Sequence, residues 1–239
     1  MPAGPAELLS INGHRVRLSP WRGHRDIGVL SPLGEFGALN SQGLAEALDR
    51  CHQRGFTQVI TAAIPEDDAP VYFDAGFQAR ERLWLLAHSM AELVKPPRKL
   101  TRRGRRRDRN AALEVDADAF EEFWRLDAAG LEEARRATPT SRFRVVDRQG
   151  VVGYAVFGLA GNRGYLQRLA VASASRGAGF GSALVKDGLQ WLARRSVTHT
   201  YVNTQERNTA ALALYQSLGF KLLPRGLVVL ETQLPPARL

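Results

Sequence analysis

Residues 165–181 read Tyr165-Leu166-Gln167-Arg168-Leu169-Ala170-Val171-Ala172-Ser173-Ala174-Ser175-Arg176-Gly177-Ala178-Gly179-Phe180-Gly181. The apolar run at the start reads as a strand, and the glycine-rich end as a tight turn. Leu184, Val185, Leu189 and Leu192 then fall on one face of a helix. Strand, glycine turn, helix is an arrangement that aims backbone N–H groups and a helix N-terminus at an anion. Gly179 and Gly181 would let the backbone approach a phosphate with no Cβ in the way. Alone, the pattern fits a plain tight connection equally well. Downstream, His199 to Thr204 reads as a further strand. Ala211, Leu214, Tyr215 and Leu218 are spaced for a short amphipathic helix that Gly219 stops.

Order and spacing together resemble the GNAT superfamily of N-acetyltransferases. The family's phosphate loop, Arg/Gln-x-x-Gly-x-Gly/Ala, is met by Arg176, Gly179 and Gly181. Its later signature is an Asn, then a short helix carrying Tyr and ending in Leu-Gly-Phe. Asn208, Tyr215 and Leu218-Gly219-Phe220 match it. The resemblance covers roughly Leu113 to Leu234. It implies an α/β fold with a mixed sheet packed by helices, acetyl-CoA as cosubstrate, no metal, and an amine as acceptor. The acceptor could be a small molecule, a peptide N-terminus or a lysine.

Working outward, Ala117 to Arg136 reads as one helix with Phe120, Phe123, Trp124, Asp127 and Leu131 on a common face. Arg142–Asp147, Val151–Leu159 and Tyr165–Val171 follow as strands, with hairpin turns at Gln149-Gly150 and 160–164. This half, 111–239, is expected to be the catalytic GNAT domain. Residues 95–110 are expected to be a basic linker opened by Pro96-Pro97. Of the net charge of +9, Lys95 to Arg109 carries nine Lys and Arg against one Asp, so little is spread elsewhere. The segment reads as a solvated linker, or as an attractor of an anionic partner such as RNA or the coenzyme phosphates. No aromatic residue interrupts it, which argues against a base-stacking platform.

Residues 1–94 read as a smaller α/β unit. His14–Leu18 and Asp26–Leu30 are short strand candidates, and Leu44, Leu48 and Cys51 lie on one helical face. Thr57–Ala63, Asp67–Ala75 and Arg82–His88 read as strand, short helix and strand. Tyr72 to Phe77 matches Tyr215 to Phe220 at an offset of 143, which Val59 keeps with Val202. The first half therefore reads as a shortened, degenerate GNAT-like repeat. Its counterpart of the phosphate loop, Leu33-Gly34-Glu35-Phe36-Gly37-Ala38, has an acid and its glycines out of register. Pro65 stands where Asn208 stands, so one coenzyme per chain is expected, in the second half.

The single cysteine, Cys51, forbids an internal disulfide and reads as a buried thiol. No run approaches a membrane span and no charged-then-apolar leader opens the sequence, so a cytoplasmic protein with no membrane partner is expected.

Acetyl transfer to an amine needs a held coenzyme, a neutral amine and a proton for the departing thiolate. The resemblance assigns the pyrophosphate to Arg176, Gly177, Ala178, Gly179, Phe180, Gly181 and Ser182. It pairs the backbone of Leu169, Ala170 and Val171 with the pantetheine arm like an added strand. Tyr215, placed as the family's tyrosine and beside the coenzyme, is the expected general acid; packing in the apolar stripe is its other reading. Asn208 either bonds the coenzyme arm or caps the helix. In the branch that acetylates ribosomal-protein N-termini, a glutamate lies twelve residues before the tyrosine. Here that position is Asn203, which leaves Glu206 and Asp127 as candidate bases. A protein of the same fold that binds acyl-CoA or a macromolecule without turnover, through the basic segment, is the second reading.

Overall fold

The computed structural model describes residues 6–11, 13–33, 39–93 and 100–235. The readings on Gly34 to Ala38 and on Lys95 to Lys99 lie outside these. The first elements are β1 (Glu7–Ile11), β2 (His14–Pro20), β3 (Ile27–Leu33), α1 (Ser41–Gln53), β4 (Gln58–Thr61), β5 (Ile64–Pro65), α2 (Pro70–Asp74) and β6 (Gln78–His88). Next come β7 (Arg102–Arg103), α3 (Arg109–Ala119), α4 (Ala128–Arg136), β8 (Thr140–Asp147), β9 (Val151–Ala160) and β10 (Arg163–Val171). The chain closes with α5 (Phe180–Ala193), β11 (His199–Gln205), α6 (Thr209–Ser217), β12 (Lys221–Leu222) and β13 (Leu227–Gln233).

Two compact units result, Met1–Trp84 with Pro224–Leu239, and Leu85–Leu223. In the first, β1, β2 and β3 form an antiparallel meander and β4 joins β3 in parallel. Strand β13 pairs antiparallel with β4 and with residues 78–83 of β6. Its Val228 and Leu230 enter a core with Leu18, Leu30, Leu44, Cys51, Phe56 and Tyr72. Burial pushes the Cys51 thiol up to about 12, so it sits there protonated and inert.

The second unit repeats the order. Strands β8, β9 and β10 form an antiparallel meander and β11 joins β10 in parallel. Helix α5 covers one face, with Leu184, Val185, Leu189 and Leu192 buried as their spacing predicts. Its Gly188 meets Phe157 of β9 so closely that a Cβ there would fall 2.1 Å from the ring. On the opposite face Ala112, Val115 and Leu131 pack against Val145, Tyr154 and Val156. Both units are thus mixed sheets packed by helices, the α/β class expected.

The short-helix signature folds identically in the two units. Phe77 N–H donates to the Tyr72 carbonyl, and Phe220 N–H to the Tyr215 carbonyl. Gly76 and Gly219 take φ of 85° and 89°, the left-handed region that glycine alone enters freely.

Two expectations are corrected. The single helix over Ala117–Arg136 breaks into the end of α3, a 3₁₀ turn at Glu122–Trp124, and α4. The cause is tertiary, because backbone groups in the break find distant partners. Leu126 N–H donates to the Asp116 carboxylate at 2.7 Å, and the Trp124 carbonyl accepts from Arg168 at 2.8 Å. The described part of the basic segment is also folded. Arg102 pairs with Val145 as part of β7 while its guanidinium grips buried Asp108 (2.7 and 2.9 Å) and Asp147 (2.6 Å).

Candidate active site

The site is built where β10 loses its partner. Parallel pairing with β11 runs only from Arg163↔His199 to Tyr165↔Tyr201. Beyond it the two strands part, while β10 stays paired to β9 on its other side through Val171↔Gly153, with a bulge between Leu166 and Arg168. Leu169, Ala170 and Val171 therefore line a strand edge whose backbone groups are open to an added strand.

That edge leads into the glycine turn. Ser173–Ser175 makes one 3₁₀ turn, anchored by Asp118 of α3. The Asp118 carboxylate accepts from the Ser173 N–H at 2.5 Å and from its hydroxyl at 3.0 Å, and these bonds hold its pKa below the usual range. A proline at this position could donate neither bond. Gly177 and Gly179 follow with φ of 78° and 77°, and each would-be Cβ points into open space. Gly179 is the N-cap of α5. Among the described residues no acceptor meets the N–H groups of Gly177, Ala178, Gly179, Phe180, Gly181 or Ser182. Gly181 has a different task from its neighbours. A Cβ on it would lie 3.2 Å from Leu214, so it lets α6 pack close to α5. Arg176 is exposed and reaches the Ala119 carbonyl at 3.5 Å.

Tyr215, on α6, is only 5% exposed, its ring 5.7 Å from that of Phe220. Burial pushes its phenol above the ordinary value while the Arg168 charge pulls the other way. It remains protonated at neutral pH.

The other named residues are placed less suggestively. Asn208 caps α6, its side chain accepting from the Ala211 N–H at 3.0 Å. Asp127 caps α4 in the same way, accepting from the Gly130 N–H at 2.7 Å. It thus stands at a helix start, off the apolar face where a single long helix would have carried it. Glu206 is exposed in the turn after β11, with no bond to a described residue, and Asn203 is exposed on β11.

A buried network beside the bulge escaped sequence reading. Asp116 is completely buried. It accepts from the Arg168 Nε (2.7 Å) and Nη2 (2.8 Å) and from the Tyr154 hydroxyl (2.5 Å). Arg168 also lies 3.4 Å from the centre of the Phe120 ring. This ties α3 to β9 and β10 where β10 leaves its ladder. Two signals were present: Asp116 lies four residues after Ala112, on the buried side of α3, and Arg168 interrupts an apolar strand. A charge in either setting calls for a partner.

Among the described residues no group of His, Cys, Asp and Glu is arranged to hold a metal ion, and no helix is long and apolar enough to cross a membrane. Comparison with curated proteins gives no match. Many solved structures share the fold, and three stand for them here. One is a tandem GNAT protein from the clavulanic acid biosynthesis pathway (TM-score 0.66, 15% identity, 94% of this chain and 80% of that one). Another is a GCN5-related N-acetyltransferase from Kribbella flavida (TM-score 0.65, 14% identity, 95% and 89%). The third is one from Sphaerobacter thermophilus (TM-score 0.61, 17% identity, 95% and 80%). The profile of the Acetyltransferase (GNAT) family matches residues 109–220, which hold the parted strands, the glycine turn and Tyr215. Over these residues, a little under half of the chain, the sequence is similar to the GNAT family, and the fold is that of the GNAT structures.

Proposed function

We propose that the second unit is an acetyl-CoA-dependent N-acetyltransferase acting on a primary amine. The observation that carries this reading is the continuity of a β10 edge with a turn, the edge unpaired and the turn's N–H groups without an acceptor among the described residues. A coenzyme with an amide-bearing arm and a pyrophosphate meets both, the arm against Leu169–Val171 and the phosphates at Arg176–Ser182. The coenzyme supplies an acetyl thioester.

The amine nitrogen bonds to the thioester carbonyl carbon, the carbon–sulfur bond breaks, and sulfur leaves with the electron pair. Tyr215 gives its phenolic proton to that sulfur. The amine's surplus proton passes to water or to Glu206, since the Oδ1 of Asp127 is already committed to its helix cap.

A second reading, binding of acyl-CoA or a macromolecule without turnover, draws on Asn203 in place of a carboxylate. One experiment separates them. Amines, amino acids and peptides are incubated with acetyl-CoA and the full chain while free thiol is monitored. Acceptor-dependent thiol release is expected. Tight binding of acetyl-CoA with no release from any acceptor would favour the second reading, and absence of binding would remove the enzyme reading and the acyl-CoA form of the second.

A further inference from the structure

The hairpin tip between β8 and β9 brings a cation to the glycine turn from a separate part of the chain. The Arg148 guanidinium lies 5.8 Å from the centre of the Phe180 ring, and Phe180 is the first residue of α5. Arg148 is exposed, and among the described residues no carboxylate pairs with it. The nearby Arg102, Arg142 and Arg144, by contrast, all hold acids.

The tip is also fixed. Gln149 takes φ of 58°, a conformation that disfavours a side-chain-bearing residue. Arg148 N–H donates to the Gly150 carbonyl at 2.8 Å, and the Asp147 carboxylate takes the Gly150 N–H at 3.1 Å. Asp147 is itself held by Arg102, which is anchored on buried Asp108. The described part of the basic segment thus stiffens the turn that aims Arg148.

We propose that Arg148 is a specificity-determining contact for the coenzyme's ribose 3′-phosphate. The inference rests on the coenzyme reading above. On that reading the turn's N–H groups and Arg176 take the pyrophosphate, and Arg148 lies beside the ring of Phe180, the residue that opens α5 from that turn. From there it meets the third phosphate on the same nucleotide. A guanidinium, planar and always charged, suits a phosphate dianion through paired hydrogen bonds.

The test compares acetyl-CoA with its 3′-dephospho form by calorimetric titration of the full chain at low ionic strength. The wild-type protein should favour acetyl-CoA by about 5- to 20-fold, the scale of one solvent-exposed charge-assisted contact. Arg148→Gln should bring the ratio close to one by weakening acetyl-CoA alone. Arg103→Gln, which removes an exposed arginine on β7, should leave the ratio unchanged. An unchanged ratio in Arg148→Gln overturns the proposal. Equal weakening of both ligands would put Arg148 on the pyrophosphate and also overturns it, as would collapse of the ratio in Arg103→Gln. A wild-type protein that binds both ligands equally defeats this inference and leaves the coenzyme reading standing. One that binds neither defeats both.

Discussion

Tyr215 and Tyr72 occupy matched positions in the two units, and their hydroxyls predict opposite outcomes. Tyr72 is 1% exposed, its ring edge-on to Phe77 at 5.4 Å. Among the described residues its buried hydroxyl has no hydrogen-bond partner, and burial pushes the phenol up to about 12. A buried hydroxyl with no partner costs on the order of 1–3 kcal/mol. Tyr72→Phe should therefore leave acetyl transfer unchanged and raise stability by up to about 1 kcal/mol in urea denaturation. A clear loss of stability would mean that the hydroxyl has a partner. Tyr215→Phe should instead lower kcat by about 10²–10⁴-fold with coenzyme affinity kept, the scale of general acid catalysis. A general acid works while protonated, so a phenol held above its ordinary value extends the working range upward. The kcat profile should show no fall from Tyr215 up to about pH 10, the ordinary tyrosine value. A descending limb near pH 8 that vanishes in Tyr215→Phe would contradict this.

At the scale of elements, the site depends on how closely α5 lies on its sheet. Gly188 has ordinary helical backbone; its necessity comes from the fully buried Phe157 ring beneath it. Gly188→Ala improves helix propensity by about 1 kcal/mol. Against that it forces an aromatic ring in a packed core to move, at a cost of about 1–3 kcal/mol or more. Net destabilisation is expected in thermal melts, with weaker coenzyme binding because the N-terminus of α5 carries the glycine turn. A more stable variant would show that the helix slides freely. The periodicity of Leu184, Val185, Leu189 and Leu192 made α5 legible in the sequence. It was silent on Gly188, since a glycine's contact is set by the residue opposite. The break between α3 and α4 was illegible for a related reason. The apolar spacing of 117–136 suits a helix, but Asp116 and Arg168 capture backbone groups that the helix would have used.

For the whole molecule, the two units differ at the strand edge on which the proposed coenzyme site rests. In the second, parallel pairing stops at Tyr165↔Tyr201. In the first, Gln58 holds the place of Tyr201, and pairing continues from Ile27↔Gln58 through Leu30↔Thr61. Ala62 N–H then donates to the Leu30 carbonyl at 2.8 Å. The edge that an arm would need is already bonded, so the first sheet is closed where the second is open. Pro65 adds to this, having no N–H to offer. Titration with acetyl-CoA should saturate near one equivalent per chain. Gly179→Glu, which sets a carboxylate at the phosphate turn, should abolish that binding in a folded protein. Two equivalents, or one surviving in Gly179→Glu, would show that the first unit binds.

Much of this protein is local, and what is local could be read from the sequence. Alternating and helical apolar spacing marked the strands and α5. Glycines marked the turns at Gly76, Gly179 and Gly219, and the spacing from Arg176 to Phe220 marked the resemblance to the family and the glycine turn that opens α5. Tertiary structure decided what depends on partners far along the chain. The apolar run Leu227 to Leu230 announces a strand, yet nothing in a strand's own residues names its neighbours. It joins β4 and the start of β6 in the first unit, since backbone hydrogen bonds carry no residue code. Asp127 and Asn208 could be chemical or structural by their type alone; the N–H groups of Gly130 and Ala211, three residues on, are what bind them. The parting of β10 from β11 was likewise fixed by tertiary pairing, because where two strands stop bonding is a property of the pair and of neither sequence alone.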